Sequence, residues 1–287
     1  MLSRLPDMPG GEFGRWQKLI QKYSGIWIPE HRKTFLQTSL LRRIRAHKLE
    51  DYSSYYEKLQ NGAWGSLEWF YLIDHLTVHE TSFIRHGPSF DLVKRFSEAR
   101  ISDALQRQSD CKIQVWSVGC STGEEAYSLA LILENLDKQE LVRAGLGFYY
   151  GVTGLDISLP ALQQAREGIF EARKLSALAP RQVSDCFVKV SDSEYRIKDE
   201  FRKRTCFVRG NLKELRQAPR HNYDVIFCQN VLIYFQPQTR IKILDELVAR
   251  LLPEGILVLG PGEVTDWKHP DLVRVDDKYC LAYQRRV

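Results

Sequence analysis

Two rhythms of apolar residues divide the chain. Up to about residue 88, apolar positions recur three and four apart, the spacing of one helix face. FGRWQKLIQKYSG puts Phe13, Trp16, Leu19, Ile20 and Tyr23 on one stripe, and Gly25 supplies a stop. TFLQTSLLRRIRAHKL turns Leu36, Leu40, Leu41 and Ile44 to one side. DYSSYYEKLQNG predicts a third helix, opened by Asp51 as N-cap and closed at Asn61-Gly62. SLEWFYLIDHLTVHETSFIRH predicts a fourth, running on toward Gly87-Pro88. Residues 1–11, with Pro6, Pro9, Gly10 and Gly11, predict a flexible arm. The pattern therefore predicts a helical domain over 12–88, followed by a linker and helix over 89–111.

From Lys112 the rhythm changes. KIQVWSVG, GFYYGVTGLDIS, CFVRGN, YDVIFCQN and GILVLG are apolar runs of strand length. Helical segments EEAYSLALILENL, LPALQQAREGIF and TRIKILDELVARLL lie among them. Such alternation predicts an α/β domain over 112–287, with a mostly parallel sheet covered on both faces. LVRVDDKYCLAYQRR adds two late strands joined by a turn at Asp276-Asp277. Residues 186–208 interrupt the alternation with short strands and charged turns, which predicts a small antiparallel β insertion at about 184–206.

Composition narrows the class. The hydrophobic share of 44% over 287 residues suffices for a core without disulfides or metals. A net charge of +5 points weakly toward an acidic partner. No apolar run has the roughly 18–20 residues of a membrane-spanning helix. MLSRLPDMPGGEFG contains no leader-like apolar stretch, so a cytoplasmic protein is expected. The six cysteines form no C-x-x-C pair and read as reduced, mostly buried residues. His75, His79 and Glu80 spell H-x-x-x-H-E rather than the zinc pattern H-E-x-x-H, so no metal is expected.

Ligands of an open parallel sheet bind at the carboxyl ends of its strands. There the first strand meets G-C-S-T-G, where Gly119 and Gly123 permit close backbone approach. The spacing is not the dinucleotide fingerprint G-x-G-x-x-G, and tight turning alone would also explain it. The next strand ends in Asp156, which could accept both hydroxyls of a ribose or could cap the following helix. It lies 37 residues beyond Gly119, too far for a nicotinamide dinucleotide fingerprint. Asn230 ends a later strand with Tyr234 close behind, framing a reacting group or simply continuing into a helix. Glu124 and Glu125 open a helix, where the dipole favours acids; one of the two could face a ligand.

Four blocks resemble, in order, the chemotaxis-receptor methyltransferases, the CheR family: TVHETSFIR (77–85), WSVGCSTGEEAYS (116–128), FCQNVLIYF (227–235) and LLPEGILVLG (251–260). The resemblance runs from Glu12 through nearly the whole chain. It implies a Rossmann-like methyltransferase domain behind a small helical domain. It also implies methyl transfer from S-adenosylmethionine to glutamate side chains on the cytoplasmic helices of chemoreceptors, releasing S-adenosylhomocysteine. By motif position, Thr81 and Arg85 would line the methionine end and the reaction site. Glu125 and Asn230 would lie by the methionine moiety, Asp156 would hold the ribose, Asn211 and Leu212 would border the adenine, and Tyr234 would face the reacting centre. In some members the β insertion docks a peptide from the receptor's C-terminus.

Four positions depart from the family's pattern. This chain has His79 where the family usually has Asn, Ile84 where it has Phe, and Gln229 where it has Arg. Ala126 replaces the usual Pro. His79 and Gln229 bear on cofactor hold and substrate choice rather than reaction type. Arg42, Arg43 and Arg45, with His47 and Lys48, form either a solvated helix face or a docking strip for the acidic receptor bundle. The expected partner is a chemoreceptor cytoplasmic domain, met by a monomer without membrane insertion. Rival readings are a nucleic-acid or small-molecule methyltransferase and an inactive cofactor-binding regulator. Against nucleic acid, the strand end reads QNVLIY, not the N-P-P-Y or D-P-P-Y that frames a flipped base.

Overall fold

The computed structural model describes residues 8, 9, 11–217 and 221–287; most of the expected arm, residues 1–7 and 10, lies outside them. Helix α1 (Glu12–Ser24) buries Trp16 and Ile20 and ends at Gly25, whose φ of +82° is left-handed. Helix α2 (Lys33–Ala46) buries Leu36, Leu40, Leu41 and Ile44 as the spacing predicts. Helix α3 (Tyr52–Leu59) starts at Asp51, whose carboxylate accepts from Ser54 N at 2.8 Å. Helix α4 (Gly62–Leu76) completes the bundle around Trp16, Tyr55, Trp69 and Leu72.

The fourth helix is shorter than the spacing predicts. It stops at Leu76, and Thr77 is extended, with its hydroxyl donating to the carbonyls of Ile73 and Asp74. The apolar residues beyond it serve another core. Phe83 is wholly buried against Phe170 and Phe187 in the sheet domain, so the chain leaves the bundle as a loop before α5 (Gly87–Gln106).

The second half runs β1 (Cys111–Val118), α6 (Glu124–Glu134), α7 (Gln139–Arg143), β2 (Phe148–Asp156), α8 (Leu159–Glu167), β3 (Ile169–Glu171), α9 (Pro180–Cys186), β4 (Phe187–Lys189), β5 (Glu194–Ile197), α10 (Asp199–Arg202), β6 (Thr205–Arg209), β7 (Tyr223–Cys228), α11 (Pro237–Val248), β8 (Leu251–Leu259), β9 (Leu272–Arg274) and β10 (Leu281–Arg285). A seven-stranded sheet has the order β6-β2-β1-β7-β8-β10-β9. The first five in that order are parallel, and β10 pairs antiparallel with β8 and β9. One apolar layer, with Phe90, Leu129 and Leu162, covers one face; Trp116, Ile226, Leu244 and Leu247 fill the other. The chain passes from β1 to β2 on one side and later to β7 on the other, so a crevice opens at their carboxyl ends.

The small sheet is antiparallel, with the order β3-β5-β4. It begins earlier than the charged stretch suggests. Helix α8 ends at Gly168, φ +65°, so Ile169 and Phe170 form a strand rather than a last helical turn. At the other end, Thr205–Arg209 pairs with β2 in the main sheet. Among the described residues, no helix is long and apolar enough to cross a membrane, and no group of His, Cys, Asp and Glu could hold a metal ion.

Candidate functional site

The carboxyl ends of β1, β2, β6 and β7 meet the loop after α4 around a narrow cleft with a cavity volume of about 70 Å³. Ser24, Ile26, Thr77, Val78 and His79 line it from the helical side; Gly119, Ser121, Asp156, Asn211, Leu212, Asn230, Val231 and Tyr234 line it from the sheet side. The two halves are tied across it. Trp27 N donates to the Tyr234 carbonyl at 2.8 Å, and the Asn211 amide donates to the Tyr23 carbonyl at 3.2 Å.

The loop after β1 is shaped by close approach. Gly119 has φ +76°, and a Cβ there would sit 2.7 Å from Val231 Cγ2. Gly119 N and Cys120 N both donate to the Leu155 carbonyl, which holds the loop against the end of β2. Asp156 follows directly. Its two oxygens accept from Ser121 N and Ser158 N, each at 2.8 Å, and it is 8% exposed. Burial pushes its carboxyl up, while the two backbone donors oppose that. Asp156 is not the cap of α8: Ser158 is, accepting from Ala161 N.

The adjacent acids have separate places. Glu124 is fully buried, accepts from the Thr122 hydroxyl at 2.6 Å and pairs with Lys174. Glu125 accepts from the Ser117 hydroxyl at 2.7 Å, and burial pushes it up to about 8, opposed by that hydrogen bond and by the charge of Arg85.

Asn230 stands exposed at the end of β7 with φ +59°. Tyr234 is partly buried; burial raises its phenol, whose oxygen accepts from Val78 N, and the charges of Arg32 and Arg85 lower it. Glu263, which the sequence reading missed, organises this loop. It is 3% exposed and accepts from Leu232 N at 3.0 Å and from Gly260 N at 2.9 Å, joining the loops after β7 and β8. The available signal was its place just after Gly260-Pro261-Gly262, one strand along from Asn230.

His79 sits over the glycine loop. Its Nε2 lies 2.9 Å from Asp74 Oδ1 and 3.0 Å from Thr77 Oγ1, and its Nδ1 lies 3.2 Å from Ser121 Oγ. Thr81 and Arg85 lie further along the same loop, outside the cleft lining. Arg85 is exposed and donates to the Glu80 carbonyl at 2.9 Å. Between them Ile84, φ +50°, holds a backbone conformation unusual for a β-branched residue, and its N–H donates to Ser128 Oγ.

The structure does not bring Gln229 to the cleft. It is buried, and its amide donates to Ser89 Oγ at 2.7 Å and to the Leu259 carbonyl at 3.2 Å. The basic run is likewise split. Arg43 forms a two-pronged pair with the buried Glu68, 2.7 Å at each prong, shared with His47 and Tyr55. Arg42 and Arg45 remain exposed.

These groups fit a nucleoside bearing a cationic amino acid. A carboxylate ends β2, a glycine lets Val231 close against the loop, and Glu125, at the start of α6, would be drawn into its ionised form by a cation. Comparison with known proteins agrees. Residues 79–278 match the profile described as CheR methyltransferase, SAM binding domain, and residues 11–77 match CheR methyltransferase, all-alpha domain. A chemotaxis protein methyltransferase of Salmonella typhimurium is 31% identical over 269 residues, covering 92% of this chain and 86% of that protein. One from Borreliella burgdorferi is 25% identical over 252 residues, covering 88% and 87%.

Proposed function

The chain belongs to the CheR methyltransferase family, whose cofactor is S-adenosylmethionine, and from that premise we propose that it forms glutamyl methyl esters on the cytoplasmic helices of a chemoreceptor-like protein. When bound, S-adenosylmethionine supplies a methyl group activated by a sulfonium. Asp156 would take the ribose hydroxyls, Asn211 and Leu212 would flank the adenine, and Gly119 lets the loop close on Val231 beside them. Glu125, Asn230 and Thr81 hold the methionine end. Gln229 acts from behind, bracing the strand end that carries Asn230.

The acceptor glutamate has an ordinary pKa of about 4.3, so it is already ionised at neutral pH and needs no general base. The protein must supply alignment, which is worth up to about 7–11 kcal/mol in favourable cases. That role falls to Arg85 and Tyr234 in this reading. The observation that carries the reading is that the cleft lined by Asp156, Asn211, Asn230 and Tyr234 falls within the segment that matches the CheR SAM-binding domain. Arg85 stays exposed, so it can hold a carboxylate loosely and leave its oxygen nucleophilic. The substrate's acidic helices meet the exposed Arg42 and Arg45, while Arg43 is committed to Glu68. The setting is cytoplasmic, with a monomer acting on a protein and not on nucleic acid.

The decisive test incubates the protein with methyl-labelled S-adenosylmethionine and a chemoreceptor cytoplasmic fragment. Label should pass to the fragment and leave as methanol in mild alkali, the behaviour of an ester. Alkali-stable label, or none transferred while cofactor binds, would overturn the proposal. Arg85→Ala should lose turnover about a hundredfold or more, equivalent to about 2.7 kcal/mol, with little change in S-adenosylhomocysteine affinity by calorimetry. Normal turnover in that variant removes Arg85 from the reaction.

A further inference from the structure

His79 stands at a junction of three elements. Asp74 comes from the last turn of α4, Ser121 from the loop after β1, and both Asp156 and Ser158 from the end of β2. The hydrogen bonds close a ring: Asp74 to His79, His79 to Ser121, Ser121 N to Asp156, Asp156 to Ser158 N, and Ser158 Oγ back to Asp74 at 2.5 Å. A carboxylate in the last turn of a helix faces the negative end of the dipole. Asp74 is nevertheless kept ionised there: burial opposes the charge, but bonds from His79 and Ser158 outweigh it and hold its pKa down.

We propose that Asp74 and His79 are a positioning pair that sets the direction of the Ser121 hydroxyl beside the ribose-holding Asp156, and thereby the grip on the nucleoside. The inference rests on Asp156 holding the ribose. With His79 neutral, Nε2–H is directed to Asp74 and Nδ1 is an acceptor, so the Ser121 hydroxyl donates to it. With His79 cationic, Nδ1–H donates to Ser121 Oγ, and the hydroxyl proton is released toward the cleft. Its free direction offers a ribose oxygen one more donor. An asparagine, the usual family residue at this position, has no such second state.

The charges around the ring agree with this role. Asp74 and His75 lie on α4, Asp156 at the end of β2, Tyr234 on the loop after β7, Glu125 at the start of α6, and Glu80 and Arg85 on the same loop as His79. Burial presses His79 down, but the bond to Asp74 and the charges of Asp74 and Asp156 win, so it is raised. Burial, with the charge of Arg43, pushes His75 down, which keeps it neutral over the same range. A raised histidine whose cation favours the ligand makes binding take up a proton, and affinity falls as pH rises through its titration.

Calorimetry with 5′-methylthioadenosine tests this, because that probe has the ribose but no amino acid for Glu125 to meet. Affinity should fall about fivefold, the fold-change of one ordinary hydrogen bond, between pH 5.5 and 9. Proton uptake, read in buffers of different ionisation heat, should peak where the His79 ring titrates by NMR in the ligand-free protein. Ser121→Ala and His79→Asn should each bind with affinity flat in pH. S-adenosylhomocysteine on Glu125→Gln, where no Glu125 carboxyl titrates, should repeat the wild-type slope below the pH at which the ligand's own amino group titrates. Binding that is flat in wild type while His79 titrates, or a slope that persists in Ser121→Ala, would overturn the positioning pair. Failure of both probes to bind at any pH would instead overturn the ribose site beneath it.

Discussion

Gly119 carries two constraints at once, a left-handed backbone and a neighbour at 2.7 Å from any Cβ, so no side chain can relieve one without meeting the other. Gly119→Ala should destabilise the fold by about 1–3 kcal/mol and weaken S-adenosylhomocysteine binding by about tenfold, read by urea unfolding and calorimetry. Unchanged affinity would show that Val231 yields freely. Glu125 makes a prediction of opposite kind. Burial holds its pKa near 8, against an ordinary 4.5, so between those values the folded protein binds a proton that the unfolded chain releases. Stability due to this group therefore falls as pH rises from about 4.5 to 8 and is level above. Glu125→Gln should match wild type most closely near pH 5 and exceed it by on the order of 2–4 kcal/mol at pH 9. A stability difference independent of pH between 5 and 9 would show that Glu125 is solvated in the free protein.

At the scale of elements, loops after strands build the site, and Glu263 couples two of them. Glu263→Ala leaves the buried N–H groups of Leu232 and Gly260 without their acceptor, so a loss of about 2–4 kcal/mol is expected. Hydrogen exchange should quicken at Leu232 and leave the centre of β7 protected; uniform loosening would mean global destabilisation only. Local signals made much of this level legible. Trp16, Ile20, Leu36 and Leu40 spelled the bundle, Asp51 its cap, and the apolar runs at Val115 and Val225 the central strands. What failed to read depended on partners far along the chain. Val78 and Phe83 kept an apolar rhythm beyond α4, but Phe83 packs on Phe170 and Phe187. Arg43 looked like its neighbours Arg42 and Arg45 until Glu68 was seen beneath it. Gln229 follows a strand whose residues are all buried, and no periodicity tells which way its amide turns; Ser89, on α5, decides it.

The molecule as a whole places the candidate cofactor cleft on the seam between bundle and sheet. On the proposed function, substrate docking belongs to the bundle's surface. Reversing charge at Arg42 and Arg45 together should raise the Michaelis constant for a receptor fragment several-fold and flatten its salt dependence, with cofactor affinity unchanged. No change in either would assign docking elsewhere. Hydrogen bonds across the seam include Trp27 to Tyr234, Asn211 to Tyr23, Gln21 to Gln236, Lys213 to Lys22 and Ser158 to Asp74, and Ile157 and Tyr234 pack on the bundle's core. A ligand seated in the cleft on this boundary touches both sides. S-adenosylhomocysteine at a hundredfold above its dissociation constant should therefore add about 2.7 kcal/mol to unfolding of the whole chain. More tellingly, it should slow hydrogen exchange at Trp27 on the helical side as well as at Ser121 and Ser158 on the sheet side. Protection confined to the sheet would mean that the bundle only caps the cleft, and that the ring through Asp74 does not transmit the ligand's hold.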